Sequence, residues 1–499
     1  MDTTLRDGEQ TSGVSFNADE KLHIAKLLLE ELKVDRIEIA SARVSEGERE
    51  GAKKIMKWAK EEGYLNQVEI LGFVDNNLSL AWIKDVGGKV INLLCKGSLK
   101  HCKMQLRKTP EEHISDVVAV IKRAKEMGIT VNVYLEDWSN GMRQSPKYVY
   151  QVIEGLKKEG INRFMLPDTL GILNPDECTR FCGDMLQRFP KLNFDFHAHN
   201  DYDLATGNVY AAINAGIDCI HATLNGLGER AGNVPLSSVV GVVNDHLTKH
   251  EIGIDEKKIF QISKIVESFS GIRIPENKPL IGEFVFTQTS GIHADGDNKD
   301  NLYHNELKPE RFNRKHSYAL GKLAGKASIK KNLEELGIEL DVASMKKLTK
   351  KINELGDKKE VVTKEDLPYI IADVLKSQQI KQRIKIKNYA LSVAAGLKSV
   401  ATLRIAIDQK EYEETASGDG QYDAFMNALW SIYKKLGKPY PILTDYNVTI
   451  PPGGKTDALC NTTITWKLKN KQFKTNGLDP DQTVAAIKAT IKMLNVIEN

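Results

Sequence analysis

The chain has no long apolar run: no window approaches the ~18 consecutive apolar residues that a membrane span requires, so no membrane partner is expected. It also lacks a basic and then apolar N-terminal leader. Six cysteines (Cys95, Cys102, Cys178, Cys182, Cys219, Cys460) in 499 residues are too few for a disulfide framework. Cys178 and Cys182 do not have the Cys-x-x-Cys spacing of a zinc site. A reducing, cytoplasmic setting is expected. Nor does one charge dominate: 70 Lys and Arg against 67 Asp and Glu leave a net +3, no footprint for nucleic acid. What remains, 41% apolar and 27% charged residues, is the composition of a globular protein. At 499 residues it exceeds one ordinary core, so two or three domains are expected.

Short β-branched runs alternate with amphipathic helical stretches over the first half. Strands are predicted over residues 2–5 (a stub), 34–41, 68–74, 90–95, 130–136, 163–169, 193–200 and 219–224. A helix is predicted over 18–32, opened by an Asn17/Glu20 capping box. This βα alternation predicts an α/β fold, a TIM (β/α)8 barrel, with a doubly wound sheet as the alternative. The barrel is preferred because the informative polar residues gather at strand C-termini: Arg6 and Asp7, Glu136 and Asp137, Asp168 and Thr169, His199, and Asn225 onward. Active sites of TIM barrels lie on that rim. Residues 271–325 are rich in Gly, Pro, Asn and charge, and 326–380 read as short helices broken at Gly337 and Gly356. Residues 381–499 form a separate α+β module with a faint repeat: in each half, strands lead through a Gly/Asp turn into a helix, over 417–436 and 476–496. The expected domains are 1–270, a barrel; 271–380, a linker with helical subdomains; and 381–499.

The run Asp2-Thr3-Thr4-Leu5-Arg6-Asp7-Gly8-Glu9-Gln10 sets two carboxylates around a guanidinium in one turn. In the strand-like run Phe194-Asp195-Phe196-His197-Ala198-His199-Asn200-Asp201, alternate side chains share a face, so His197 and His199 point the same way. Two imidazoles and a distant carboxylate suit a divalent metal; the plain alternative is a helix-capping Asp7 and two core histidines. After the last strand, Asn225-Gly226-Leu227-Gly228-Glu229-Arg230-Ala231-Gly232-Asn233 has glycines in the wrong context for a dinucleotide loop, which follows a first strand. Instead the loop aims Asn233 inward as an oxygen ligand. Asp7, His197, His199 and Asn233 make a mixed N/O set without thiolate, which favours Mn²⁺, Mg²⁺ or Zn²⁺ with open positions. Such a metal can chelate a 2-oxo acid and polarise its carbonyl.

Together the 2–10 run, the His197/His199 strand, the 228–233 loop and the 290–296 segment resemble the Claisen-condensing enzymes: the isopropylmalate, homocitrate and citramalate synthases. The resemblance covers essentially the whole chain. It implies a metal-dependent TIM barrel and, at the C-terminus, a regulatory and dimerisation domain, hence a homodimer. Segments 133–141 and 422–429 are most similar to the citramalate-forming branch. That implies pyruvate and acetyl-CoA as substrates, with isopropylmalate synthesis from 2-oxoisovalerate as the alternative.

The resemblance further implies that Leu71, Leu94 and Tyr134 wall the pocket around the substrate's alkyl group, leaving room for a methyl but not an isopropyl. It implies that Arg6 faces the keto oxygen and Thr169 the pyruvate carboxylate. The base that takes the acetyl methyl proton is Glu136 or His293, the latter with Tyr303 nearby on a segment that reaches the site from the partner subunit. Asp137 and Glu9 are expected to pair with Arg6 or the rim. The bases Lys308, Arg311, Arg314, Lys315, Lys322 and Lys326 form either a solvated face or contacts to the CoA phosphates. In the C-terminal module an isoleucine feedback site is implied around Tyr422, Asp423, Leu443, Tyr446, Ile450, Pro480 and Gln482; Cys460 stands where relatives have an aliphatic residue. Relatives also carry more of the first strand ahead of Asp2. The stub is therefore expected to leave its neighbours' backbone groups unpaired, and the start of translation is expected upstream.

Overall fold

A strand buried on both faces needs β-branched or large apolar residues at its outward positions, and the seven parallel strands here have them. They are β1 (Ile37–Ser41), β2 (Val68–Phe73), β3 (Val90–Lys96), β4 (Thr130–Glu136), β5 (Arg163–Asp168), β6 (Phe194–Ala198) and β7 (Cys219–His221), in that order across one sheet. The computed structural model describes residues 1–297, 302–303, 305–357, 362–375, 383–408, 410–450, 459–469 and 471–498. The expected boundary at 380–381 lies outside the described residues.

Asp2 closes the sheet into a barrel. It bridges Ile37 on one side and Ala222 on the other, both in parallel sense. Asp2 N donates to Arg36 O (2.9 Å), Glu38 N to Asp2 O (2.9 Å), Thr3 N to Ala222 O (2.9 Å) and Ala222 N to Met1 O (3.0 Å). The stub thus pairs both neighbours, contrary to expectation; two or three residues suffice because each strand edge needs only alternate groups filled. All seven strands match their predicted runs to within three residues, the largest trimmings being β1 at its start and β7 at its end.

The helices form because their ends are capped and one face is apolar. Asn17 accepts from Asp19 N and Glu20 N, while Glu20 returns a bond to Asn17 N, closing the predicted box. That helix is α-helical over Ala18–Lys26 and widens to a π-turn over Leu27–Glu31. The same box recurs at Thr109/Glu112 and Asn174/Glu177. Between barrel and helices the core is aliphatic, with Ile37, Ile39, Ile70, Ile91, Leu93, Val133, Leu135 and Phe196 fully or nearly fully buried. The barrel's inside is different. Inward positions alternate with those residues and carry Glu38, Glu69, Asn92, Asn132, Asp195, His197 and His221, all buried. One polar ladder crosses the interior: Asn92 Nδ2 donates to Glu38 (2.8 Å), Asn132 to Asn92 (2.8 Å) and Asn162 to Asn132 (3.2 Å).

The chain divides into two compact units: Met1–Phe286 with Asn305–Lys315, and Thr287–His304 with His316–Asn499. In the second unit β8 (Thr287–Gln288) pairs with β9 (Ser317–Tyr318) in parallel. Helices Lys326–Glu335, Val342–Asp357 and Leu367–Leu375 share a small core that includes Ile329, Leu333, Leu348, Ile352 and Leu367. Gly337, with φ +67°, follows the first of these helices, as predicted; Gly356 lies inside the end of the second rather than breaking it. The C-terminal repeat is real. The antiparallel sheet of β10 (Ile384–Ser392), β11 (Ser399–Ile407) and β12 (Lys410–Gly418) leads into helix Gln421–Lys435. The sheet of β13 (Ile442–Thr449), β14 (Cys460–Leu468) and β15 (Lys471–Asp479) leads into helix Gln482–Glu498. One core joins both halves, with Phe425, Leu429, Trp466, Ile487 and Met493 buried in it.

Candidate active site

Strand alternation brings the predicted ligands together. His197 and His199 lie at the C-terminal end of β6 and face the barrel interior, where Asp7 arrives from the turn after the stub. His197 Nε2 is 3.2 Å and His199 Nε2 3.8 Å from Asp7 Oδ2, and the two Nε2 atoms are 3.3 Å apart. The three donor atoms fall within 4.8 Å of one another, as one cation requires. Asn233 is bridged through its backbone to His199. Two glycines make that bridge possible. A Cβ on Gly232, at φ +81°, would sit 2.0 Å from Gly226 O, and one on Gly228 would sit 2.3 Å from Asn233 Nδ2. Asn233 Nδ2 donates to Leu227 O (3.1 Å), which fixes the amide's orientation.

The unsatisfied atoms test whether this set fits a metal. Asp7 Oδ1 and Asn233 Oδ1 are buried with no hydrogen-bond donor among the described residues. Buried polar atoms without partners are rare and point to a missing ligand. Burial pushes Asp7 up, but Arg6 and His197 beside it outweigh this and hold its carboxyl well below the usual range. Burial draws His199 down to about 4, so it is a neutral imidazole, the form that binds metal. A carboxylate, two imidazoles and an amide oxygen fit a divalent cation.

Arg6 is clamped rather than free. Its Nε donates to Glu38 (2.6 Å), its Nη1 to Asp7 (3.0 Å) and its Nη2 to the Tyr134 hydroxyl (3.4 Å). Glu38 also accepts from Thr3 Oγ1 (2.8 Å), so the carboxylate that aims Arg6 is itself held. Leu71, Tyr134 and Met165 form one buried cluster inside the barrel, with Leu94 packed against it. The Tyr134 ring lies 6.0 Å from that of His197, which sets the apolar wall beside the ligands. Beneath it, Tyr134 reaches His221, and His221 reaches Asp195.

On the rim, Glu136 pairs with Lys96, its register partner on β3. Thr169 Oγ1 accepts from Asp137 N (2.9 Å), which leaves its own O–H to donate. Asp168 is occupied by the backbone N–H groups of Ile172 and Leu173. Asp137 and Glu9 have structural roles as expected, with other partners than Arg6: Asp137 lies 2.8 Å from His101 Nδ1, and Glu9 2.6 Å from Lys21 Nζ.

A family profile described as HMGL-like matches residues 1–266. The chain belongs to the HMGL-like family. Past this HMGL-like barrel, a homocitrate synthase post-HMGL domain-like profile matches 280–360, and one described as the LeuA allosteric (dimerisation) domain matches 361–498. The (R)-citramalate synthase of Methanocaldococcus jannaschii is 32% identical over 507 residues, spanning 100% of this chain and 99% of that one. The 2-isopropylmalate synthase of the same organism is 33% identical over 508 residues, spanning 100% of this chain and 94% of that one. Among solved structures, hydroxymethylglutaryl-CoA lyase from Pseudomonas aeruginosa matches with a TM-score of 0.48 at 19% identity, covering 55% of this chain and 93% of that one.

Other candidate residues of this HMGL-like chain have their own partners. His293 and Tyr303 belong to the second unit, where their rings pair at 4.2 Å. Two of the candidate phosphate binders are already engaged. Arg311 is held by Asp245 (2.6 Å) and Glu256 (2.7 Å). Arg314 donates to Gly282 O (2.7 Å) and Glu283 O (2.9 Å) while lying over the Phe260 ring. Both are structural cations of the segment 305–315. Lys322 pairs with Asp357 at the surface.

In the C-terminal module, Tyr422 and Tyr446 meet at 5.5 Å, and Tyr422 Oη lies 2.7 Å from Thr490 Oγ1. The Pro480 carbonyl accepts from Cys460. Leu443 and Ile450 are exposed. The Asp423 carboxylate accepts from Asp419 N (2.9 Å) and Asn427 Nδ2 (3.3 Å), closing the turn before the helix.

Sequence reading missed Glu38, Lys96, Asp195 and His221 as members of the site. The signal was available: each sits at an inward position of its strand, and a charged or polar residue inside an otherwise apolar strand needs a partner there.

Proposed function

We propose that the protein condenses acetyl-CoA with pyruvate and water to give (R)-citramalate and CoA, feeds isoleucine synthesis, and is inhibited by isoleucine. The observation that carries the choice of pyruvate is the wall of Leu71, Leu94 and Tyr134 against the Asp7/His197 corner. Two leucines and a phenol of this bulk suit a methyl group better than an isopropyl group.

Asp7, His197, His199 and Asn233 would hold a divalent cation, Mn²⁺, Mg²⁺ or Zn²⁺, which supplies Lewis-acid polarisation of the keto group when bound. Arg6, kept protonated by Glu38 and Asp7 against the pull of burial, presents fixed positive charge where the keto oxygen becomes an alkoxide. The Thr169 hydroxyl donates to the pyruvate carboxylate. Removing the acetyl methyl proton falls to Glu136 or to His293 with Tyr303; the resulting carbon attacks the keto carbon, and water then releases CoA from the thioester. Glu136 is already on the barrel rim, paired with Lys96. The domains divide the work: 1–270 for catalysis, 271–380 as linker and 381–499 for regulation within a homodimer.

A second reading, 2-isopropylmalate synthase, draws on the 33% identity to an enzyme of that name. CoA release followed with a thiol reagent, with pyruvate and 2-oxoisovalerate side by side, separates the two. Pyruvate is expected to be preferred, and preference for 2-oxoisovalerate reverses the assignment. The effector is tested by calorimetry on the full-length protein. Isoleucine is expected to bind at the Tyr422/Tyr446/Gln482 corner and leucine much more weakly, whereas leucine binding alone turns the reading to isopropylmalate.

A further inference from the structure

Below the wall of the pocket runs a chain of hydrogen bonds whose direction can be worked out. The Tyr134 hydroxyl lies 2.9 Å from His221 Nδ1, and His221 Nε2 lies 3.1 Å from Asp195 Oδ2. Asp195 also takes a bond from Arg36 on that same oxygen and from Arg163 Nη1 (3.0 Å) on the other. Asp195 and His221 are fully buried, and Arg36 in turn donates to Glu69 (2.6 Å). Two arginines keep Asp195 ionised, and an ionised carboxylate only accepts. The one proton of neutral His221 must therefore sit on Nε2, which leaves Nδ1 a bare acceptor. The phenol is then obliged to donate to Nδ1, and its oxygen is left to accept from Arg6 Nη2. Every bond from Arg6 through Tyr134 and His221 to Asp195 has one possible polarity. None of the chemistry above uses His221.

We propose that His221 is a positioning residue that pins the Tyr134 ring and thereby sets which 2-oxo acid the pocket admits. The proposal rests on the reading that Tyr134 walls the alkyl pocket. Both ends of the phenol are tied, so the ring holds one rotamer although it lines a pocket. Without the acceptor at Nδ1 the hydroxyl keeps only the 3.4 Å contact to Arg6, and the ring is released into the space His221 vacated. The pocket then gains room for about one methylene, which in a tight apolar site is worth roughly 10–200-fold in discrimination.

The test compares kcat/KM for pyruvate and 2-oxobutyrate by CoA release in wild type, His221→Ala, His221→Gln, Tyr134→Phe and the Tyr134→Phe/His221→Ala double variant. In His221→Ala the ratio is expected to move at least about tenfold toward 2-oxobutyrate, mainly through a lower KM for that acid. Tyr134→Phe, which removes one oxygen and leaves the ring, should shift the ratio similarly. The double variant should shift it no further than either single change, because both cut the same link. His221→Gln can accept through Oε1 and donate to Asp195, so it should bring the ratio back to within about twofold of wild type. A His221→Ala protein with unaltered melting and an unaltered ratio overturns the proposal, and so do additive shifts in the double variant. If His221→Ala does not fold, an unchanged ratio in Tyr134→Phe overturns it alone. A wild type that prefers 2-oxoisovalerate removes the pyruvate reading without touching this one, since the ratio between that acid and its next homologue still reports how the ring is held.

Discussion

Replacing His199 by alanine is expected to lower turnover by at least ~1000-fold, about 4 kcal/mol of barrier, while the barrel stays folded. The change deletes one of the four proposed ligand side chains and leaves Asp7, His197 and Asn233 to hold a cation with an open face. Affinity in such sites depends on ligand count, so the cation should be lost at ordinary concentrations. The fold should survive because the ring of His199 touches mainly His197 and Asp7, and its backbone bridge to Asn233 is independent of the side chain. A buried truncation of this size costs roughly 1–3 kcal/mol, less than most domains possess. Metal content by plasma mass spectrometry, circular dichroism and CoA release measure the three parts separately. Wild-type turnover in a metal-saturated variant ends the metal-site reading.

Leu94→Ala is expected to move the preference from pyruvate toward 2-oxobutyrate by about 10–200-fold in kcat/KM ratio, with 2-oxoisovalerate improving also. Leu94 is the cleaner probe of the wall than Tyr134→Ala, which should shift specificity in the same direction. Tyr134 carries hydrogen bonds to Arg6 and His221, so its removal disturbs two further groups, whereas Leu94 contributes only volume. The two side chains are register partners on β3 and β4, so shortening one opens space directly beside the other. An unchanged ratio would mean that the substrate's alkyl group lies elsewhere.

These two predictions draw on different depths of information. That His197 and His199 share a face follows from strand periodicity alone, and the same rule sorts Glu38, Asn92, Asn132, Asp195 and His221 to the inside. Capping residues are local too, which is why the Asn17/Glu20 box could be read before any contact was known. The expected unpaired edges around the stub failed for the opposite reason. Whether Asp2 can reach both Ile37 and Ala222 depends on barrel closure, which no local pattern encodes. The basic run after Lys308 shows the same limit: its charge is visible in the sequence, but Asp245 and Glu256, which pair with Arg311, lie far back along the chain.

By itself the sequence determined the order of strands and helices, the face each strand residue turns inward, and the meeting of Asp7, His197 and His199. Those follow from side-chain periods of 2 and 3.6 and from the chemistry of donor atoms. Only the tertiary structure decided who meets whom across the barrel: Glu38 with Arg6, Lys96 with Glu136, His221 with Tyr134 and Asp195. Alternation fixes a side chain's face but not its height or its partner, because these depend on the stagger of strands that close on each other over two hundred residues of intervening chain.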